Sequence, residues 1–248
     1  MQYLIPPLEE SAVMNKDVLL QLANTELARA ANMKQTGHYE IDWAKSKIRT
    51  PEVRTAASAL LKRLRSQGVR DIDEIFRLCE PLLSTGSWPY RTMAFQWSFS
   101  FKKQFEPRHF PIFEHWVKDY VTSWGSCDDL CTHSLGFFLL TFPEFMPTIL
   151  SWTESSQTYV RRASAVSLIY GLRRGEFLEH VFQVADRLLY DSEDHVLKGY
   201  GWMLKEATQH FPDEVFEYVM AHKEGMPRVS LRYAIEKLPP KMKKRAMA

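Results

Sequence analysis

The sequence predicts an all-α chain built from repeated pairs of helices. Apolar residues recur at helical spacing in segments of about 10 to 20 residues, which short polar turns separate. Gly is scarce, at 10 of 248 residues, and long β-branched runs are absent, which favours helices over strands. In addition, one helix-like segment recurs along the chain at intervals of about 35 residues.

The clearest helix start is Thr50-Pro51-Glu52. A Thr hydroxyl is a favourable N-cap, Pro suits the first helical position, and an acidic residue in the first turn interacts favourably with the helix dipole. We therefore expect Thr50 to cap a helix that continues through the apolar segment beginning at Val53.

The segment that begins at Val53 recurs in weaker form further along the chain. Matching segments begin at Tyr90, Val160, Val196 and Leu231, so successive starts are 37, 70, 36 and 35 residues apart. The interval of 70 leaves room for one more repeat, which we predict over residues 126–140. Arrays with this period, such as HEAT repeats, stack into a curved solenoid with a concave surface. An irregular helical bundle is the alternative.

Each repeat predicts a buried stripe and a second stripe on another face. The buried stripe consists of side chains at helical spacing, namely Val53, Ala57, Leu60 and Leu64 in the first repeat and Val196, Tyr200, Met203 and Ala207 in a later one. The second stripe lies about 130° around the helix. It carries aromatic and charged side chains in adjacent repeats, namely Trp124, Asp128, Arg162, Lys198 and Trp202.

The second stripe combines groups that suit a cationic substrate on a phosphate backbone. Trp rings attract cations, a carboxylate stabilises developing positive charge, and Arg or Lys binds phosphate. An N3- or N7-alkylated purine in DNA fits this description, because its glycosidic bond breaks through an oxocarbenium-like sugar. Each group also has a structural alternative. The Trp rings would pack against the partner helix, and Arg161 and Arg162 would bridge neighbouring acidic residues.

Three motifs on these helices resemble the AlkD-type DNA alkylation-repair glycosylases, a HEAT-like family. They are Trp124-Gly-Ser-Cys-Asp128, Tyr159-Val-Arg-Arg162-Ala-Ser-Ala and Lys198-Gly-Tyr-Gly-Trp202-Met-Leu-Lys205. A shorter segment, Ile48-Arg-Thr-Pro-Glu-Val-Arg54, is similar to the N-terminal signature of the family. The likeness covers the chain from about residue 45 to residue 237 and is strongest after residue 120.

The resemblance implies hydrolysis of N3- and N7-alkylpurines in duplex DNA without a metal or redox cofactor. It implies that Asp128 is the catalytic carboxylate and that Trp124 and Trp202 contact the lesion nucleotide. The implied phosphate-binding residue is Arg162. Further cations on or near these motifs complete the candidate DNA-binding set, namely Arg161, Lys198, Lys205 and Arg232.

The family pattern is not matched at every position. Tyr159 stands where the family carries Trp, and Cys127 replaces an apolar residue. Asp129 directly follows Asp128, and Arg161 directly precedes Arg162, so each assignment has a neighbouring alternative. Asp129 lies about 100° further around the helix, and Arg161 occupies a position shared with other repeats. Asp128 and Arg162 are therefore the preferred assignments.

Composition argues against several other classes of protein. The net charge of +2 gives no general indication of nucleic-acid binding, although basic residues cluster locally. Three Cys residues are too few for a disulfide framework, no apolar run reaches about 18 residues, and the N-terminus lacks a signal-peptide pattern. We expect a cytoplasmic monomer with a single domain over residues 1–248, in which residues 241–248 form a candidate basic tail.

Cys127, Cys131 and His133 raise the question of a metal site. Residues four apart share a helical face, but His133 points elsewhere, and a zinc site normally needs four ligands. We therefore expect the two Cys side chains to lie in the core. The sequence also shows no glycine-rich phosphate loop, so no metal and no nucleotide cofactor is expected.

A second class of function is a non-catalytic binding module. HEAT-like arrays also serve as DNA-structure binders or protein scaffolds, and the fold alone does not fix the function. An unpaired Asp128 on a DNA-facing surface would weaken binding to phosphates, so its presence favours catalysis.

Overall fold

The computed structural model describes residues 15–32, 42–43 and 45–248, and within these residues the chain is helical and contains no β-strand. The chain forms two compact units, Met1–Pro111 and Ile112–Ala248, which are described in turn. The single-domain organisation over residues 1–248 stays a prediction.

Within its described residues, the first unit contains four helices whose bounds lie inside it, α1 (Lys16–Ala30), α2 (Thr50–Ser66), α3 (Ile72–Leu83) and α4 (Trp88–Ser100). Two 3-10 turns follow, Lys102–Gln104 and Pro107–His109, and α5 (Phe110–Asp119) begins at the boundary. Helix α2 packs against α1 and α4, and α3 packs against α4.

Helix α2 differs at its first turn from the sequence-based prediction. The helix begins at Thr50, but the N-cap is Arg49, and Pro51 occupies the second helical position rather than the first. The Glu52 carboxylate accepts the backbone N–H of Arg49 at 2.7 Å and also the Arg49 guanidinium at 2.7 Å. The expectation that the Thr50 hydroxyl caps the helix is therefore wrong, because a carboxylate three residues into the segment reaches back instead.

The second unit contains the remaining helices. They are α6 (Trp124–Leu130), α7 (Gly136–Thr141), α8 (Met146–Ser151), α9 (Thr158–Val166), α10 (Ile169–Leu172), α11 (Leu178–Leu188), α12 (Asp194–Ala207), α13 (Pro212–His222), α14 (Arg228–Ala234) and α15 (Pro240–Met247). A π-helical turn over Cys131–Leu135 joins α6 to α7, and 3-10 turns lie at Pro143–Phe145 and Trp152–Glu154. The joined helix confirms the repeat predicted over residues 126–140.

In the second unit, the helices that carry the recurring segments pack side by side. Helix α9 contacts α6 and α12, and α12 in turn contacts α14, while α11 packs against α12 as its partner helix. Because these helices carry the recurring segments, the predicted helix-pair repeat is confirmed within this unit.

The predicted buried stripe is also confirmed. In α2, Val53, Ala57, Leu60 and Leu64 each have 0% exposure, and so do Val196, Tyr200, Met203 and Ala207 in α12. Spacing at helical periodicity therefore identified the core-facing side of both helices.

The described residues contain no single helix that is long and apolar enough to cross a membrane. One bent pair, Trp124–Thr141 with Pro143–Glu154, meets the length and composition criteria only when its two parts, inclined at 107°, are taken together.

Candidate active site

Asp128 and Arg162 form a two-pronged ion pair between α6 and α9. The Arg162 Nε donates to Asp128 Oδ1 at 3.0 Å, and one terminal nitrogen donates to Oδ1 at 2.8 Å and to Oδ2 at 3.1 Å. The Arg162 side chain is 6% exposed and that of Asp128 is 20% exposed. The other terminal nitrogen donates to the backbone carbonyl of His195. Asp128 is thus not the unpaired carboxylate that the sequence suggested.

Burial and neighbouring charges shift the pKa of the Asp128 carboxyl in opposite directions. Burial raises the pKa of the Asp128 carboxyl above its ordinary value, although the Arg162 guanidinium and the nearby His195 favour the charged form. The Asp128 side chain nevertheless remains 20% exposed. A carboxylate that an arginine orients, on a side chain that is partly exposed, can interact with a bound substrate.

The local sequence of α6 places Trp124 beside this carboxylate along the helix. Ser123 caps the helix by accepting the Ser126 N–H at 3.2 Å, and the Ser126 hydroxyl accepts the Ser123 N–H at 3.1 Å. Trp124 is therefore the first helical residue, and Asp128 follows about one turn later. The Trp124 side chain is one of the few exposed large apolar groups in the described chain, at 57% exposure.

Gly199 of α12 lets that helix approach Arg162 closely. A Cβ atom on Gly199 would lie 3.1 Å from Arg162 Cγ and 3.2 Å from a terminal nitrogen of its guanidinium. On the other side of α12, a Cβ on Gly201 would lie 2.9 Å from the Cβ of Tyr233 in α14. The two glycines of the Lys198-Gly-Tyr-Gly-Trp202 motif thus serve close helix packing on both sides of α12.

Trp202 is half-buried, and its indole N–H is bound within the protein. The indole Nε1 donates to Glu206 Oε1 at 3.1 Å, one turn along α12. Glu206 is itself buried at 4% exposure. The ring is thereby oriented through its only hydrogen-bonding group.

A family model described as DNA alkylation repair enzyme matches residues 18–238. The chain belongs to this family. A crystal structure of AlkD2 from Streptococcus mutans is similar to the chain, with a TM-score of 0.59 and 18% sequence identity, over 87% of this chain and 99% of that one. No curated protein sequence matches the chain significantly. The structural likeness agrees with the predicted all-α, HEAT-like helical-repeat fold.

The arginine next to Arg162 makes a separate ion pair in this family member. Arg161 donates to the two carboxylate oxygens of Asp191 at 2.6 and 3.2 Å and to the carbonyls of Ser155 and Ser156 at 2.8 and 3.2 Å. Hydrogen bonding to Asp191 raises the pKa of Arg161 above its ordinary value. Both arginines therefore bridge acidic residues, which was the structural alternative for them.

The other candidate DNA-binding cations differ in how strongly they are held. Lys205 lies 3.1 Å from Glu236 with a side chain that is 15% exposed. Lys198 pairs at 2.6 Å with Asp194, whose side chain is 61% exposed. Arg232 is exposed and forms no ion pair with any other residue in the described part of the chain. Arg232 and Lys198 are thus the cations of this set most available to a phosphate.

Cys127 of α6 and Cys131 of the π-helical turn lie in the core, as expected. Cys127 and Cys131 are both fully buried with their sulfur atoms 4.0 Å apart, and burial raises the pKa of the Cys131 thiol well above its ordinary value. The His133 Nδ1 is 2.9 Å from the backbone carbonyl of Asp129. Among the residues that the structure describes, no group of three or more His, Cys, Asp or Glu side chains is arranged to hold a metal.

Two residues near the site were not singled out from the sequence. His195 accepts a hydrogen bond from Arg162 through its carbonyl, and its ring centroid lies 5.9 Å from that of Tyr159. Glu206 binds the Trp202 indole. The four-residue spacing from Trp202 to Glu206 could have indicated that contact, whereas nothing in the sequence marks His195.

Proposed function

We propose that the chain is a monofunctional DNA glycosylase that hydrolyses the N-glycosidic bond of cationic N3- and N7-alkylated purines in duplex DNA. The observation that carries this proposal is the partly exposed Asp128 side chain, whose carboxylate Arg162 holds through three hydrogen bonds. The same helix presents the exposed Trp124 ring. Membership of the DNA alkylation repair enzyme family supports it.

The proposed reaction needs few groups, because an alkylated purine that already carries a positive charge is a good leaving group. The bond between C1′ and the base nitrogen breaks, its electron pair neutralises the departing base, and C1′ acquires oxocarbenium character. The negative charge of Asp128 stabilises this cation. Water then bonds to C1′ and releases its proton to solvent.

The flat rings at the site suit the departing base. A cation placed over an indole face is attracted electrostatically, more strongly when water is excluded. Trp124 is free to form such a contact at 57% exposure, and Trp202 presents a half-buried ring. We assign both to contact with the lesion nucleotide within this proposal.

Within this proposal, Arg162 orients the Asp128 carboxylate. Its guanidinium is engaged by Asp128 and by the His195 carbonyl, so it acts as a positioning residue for the carboxylate. Direct binding of Arg162 to phosphate stays a prediction and would require one of these hydrogen bonds to be exchanged. Arg232 and Lys198 are the more accessible candidates for phosphate contact.

Binding to the DNA backbone should dominate affinity. We expect binding to weaken steeply with added salt and to show little sequence preference, because phosphate contacts carry no base information. Arg232→Ala and Lys198→Ala should each reduce the slope of log affinity against log salt by about 1. The proposal includes a monomer that acts in the cytoplasm with the chromosomal DNA.

The deciding experiment measures base release from duplex DNA that carries 7-methylguanine, without added metal and under single-turnover conditions. Asp128→Asn is compared with Asp129→Asn, since the two residues are adjacent on α6. Release by the wild type that Asp128→Asn loses and Asp129→Asn keeps supports the proposal. Loss only in Asp129→Asn moves the catalytic carboxylate by one residue.

A non-catalytic DNA-structure binder is the second candidate. The observation that favours it is the pairing of Asp128 with Arg162, because a neutralised carboxylate does not repel phosphates and so no longer argues for catalysis. Salt-sensitive DNA binding without release of either a methylated base or a bulky N3 or N7 adduct would establish this second function instead.

A further inference from the structure

Glu206 is a buried carboxylate that binds the Trp202 indole on α12. Its side chain is 5% exposed. The Oε1 atom accepts the Trp202 indole N–H at 3.1 Å and Lys237 Nζ at 3.0 Å. The Oε2 atom accepts Arg173 Nε at 3.0 Å and Gln209 Nε2 at 2.6 Å. Glu206 therefore connects α12 with residues that follow α10 and α14.

Stability alone gives a weak reason for such an arrangement. Removing a carboxylate from water is costly, and well-packed apolar residues often replace buried ion pairs without loss of stability. The two cations that pair with Glu206 keep 43% and 42% of their side chains exposed, so solvent screens part of each attraction. Their hydrogen bonds nevertheless outweigh burial and hold the pKa of Glu206 below its ordinary value, so the group stays charged.

The hydrogen bond between Glu206 and Trp202 limits how the Trp202 ring can contact a ligand. An indole has a single hydrogen-bonding group, its N–H donor. With that donor bound to Glu206, the ring can offer a bound nucleotide only its π-face and its hydrocarbon edge. A hydrogen bond to an anion also polarises the ring and increases the negative character of its face.

We propose that Glu206 is a positioning residue of the glycosylase site, which fixes the Trp202 ring through its N–H so that the site selects bases by positive charge and flat shape. The proposal rests on the proposed function. It implies that N3- and N7-alkylated purines are accepted alike, because their different hydrogen-bonding edges meet no donor from Trp202. Neutral bases should be rejected for lack of charge.

A double-mutant cycle tests whether Glu206 acts through Trp202. Single-turnover base release is measured for Glu206→Gln, Trp202→Phe and the double variant. Glu206→Gln keeps the shape and removes the charge, and we expect it to slow release about tenfold on its own. In the Trp202→Phe background it should have no further effect. Additive slowing would overturn the proposal, since it would mean that Glu206 acts on the fold rather than on the indole.

Asp191→Asn provides the matched control for this cycle. Asp191 is also a buried carboxylate paired with an arginine, and its side chain is 7% exposed, but the arginine that it pairs with lies on α9 rather than beside Trp202. Asp191→Asn should leave the rate of base release unchanged, both in the wild type and in the Trp202→Phe background. Thermal melting of every variant shows whether it folds.

An NMR measurement tests the contact without reference to catalysis. In the ¹⁵N-Trp-labelled protein, the Trp202 indole resonance is assigned by its loss in Trp202→Phe. We expect slow solvent exchange in the wild type, faster exchange and a changed shift in Glu206→Gln, and no change in Asp191→Asn. Fast exchange in the wild type would overturn the proposal even if Glu206→Gln failed to fold.

Selection by charge is tested with a nucleotide that cannot be cleaved. Duplexes carrying 2′-fluorinated 7-methylguanine are compared with duplexes carrying neutral 2′-fluorinated 7-deazaguanine. The wild type should prefer the cationic duplex, and Glu206→Gln and Trp202→Phe should each reduce that preference by about the same factor. An unchanged preference would overturn the charge-selection role. Absence of release by the wild type would instead remove the proposed function and leave the NMR result standing.

Discussion

Two neighbouring arginines of α9 make ion pairs that look alike but lie in different environments. Arg161 and Asp191 have side chains that are 15% and 7% exposed, and two backbone carbonyls complete the arginine's hydrogen bonds. Arg162 is the more deeply buried cation at 6%, but its partner Asp128 is 20% exposed. In the first pair the acidic side chain is the less exposed partner, whereas in the second the arginine is the less exposed partner.

The difference shows that accessibility, rather than the presence of an ion pair, distinguishes the candidate catalytic carboxylate. Asp191 also accepts the backbone N–H of Glu193 at 2.9 Å, so it is used to order the turn before α12. Asp128 has a pKa that burial raises, which is typical of a functional group held in partial desolvation. The two pairs therefore provide a matched comparison for mutagenesis.

The largest expected difference lies between Asp128→Asn and Asp191→Asn. Asp128→Asn leaves the buried Arg162 without its carboxylate, and Asp191→Asn does the same to the part-buried Arg161, so each should lower the free energy of unfolding, by up to about 3 kcal/mol. Only Asp128→Asn should slow base release, by about 10²- to 10³-fold, because in the proposed reaction only Asp128 stabilises the developing positive charge. Urea unfolding and single-turnover release measure both effects. A similar loss of release in Asp191→Asn would remove the distinction.

A smaller difference is expected between the two arginines. Lys cannot form the two-pronged contact that holds Asp128, so Arg162→Lys should slow base release about tenfold. Arg161→Lys should leave the rate unchanged, although both substitutions should lower the melting temperature. Equal rates in the two variants would indicate that orientation of Asp128 by Arg162 contributes nothing.

The pH dependence of base release should distinguish the pairs in the same way. In the proposed reaction Asp128 acts as an anion, so release should fall as the pH decreases through its raised pKa, at a higher pH than for an ordinary carboxyl. The Arg162 charge lowers this pKa, so Arg162→Gln should raise it further and move the acid limb to higher pH. Arg161→Gln should not move it. Rates are corrected for spontaneous depurination, and an acid limb that Arg162→Gln leaves in place would contradict the assignment.

The smallest effect concerns the close approach of α12. A Cβ on Gly199 would lie 3.1 Å from Arg162 Cγ, so Gly199→Ala should displace that side chain slightly and slow release about threefold. Gly125→Ala is the control for stability, since a Cβ there meets no atom within 4 Å. Gly125→Ala should raise the free energy of unfolding by up to about 1 kcal/mol. A greater stabilisation by Gly199→Ala would show that the contact is loose.

Helical periodicity predicted the repeat and its buried face because both depend on local spacing. The stripe that begins at Val53 is fully buried, and so is the one that begins at Val196. The N-cap of α2 was assigned wrongly, since Thr50 and Glu52 compete for the same helix start and the longer carboxylate side chain reaches the free N–H.

The candidate site could be predicted only in part from the sequence. The angular argument placed Asp128 and Arg162 on corresponding faces of helices in adjacent repeats. Their direct pairing joins residues 34 positions apart and depends on how the helices pack. The four-residue spacing of Trp202 and Glu206 was visible in the sequence. The burial of Glu206 and its ion pairs could not be predicted from the sequence, because its two cationic partners lie 31 and 33 positions away along the chain.

The π-helical turn at Cys131–Leu135 sets the angular phase between the two ends of one helix. Downstream of it, Phe138 and Leu139 are fixed in the core with 0% exposure, while upstream lie Trp124 and Asp128. Each residue rotates an α-helix by about 100°. A one-residue deletion within this turn would therefore swing Asp128 away from α9 while α7 kept its place. The number of residues in this turn thus controls the direction in which the Asp128 carboxylate points.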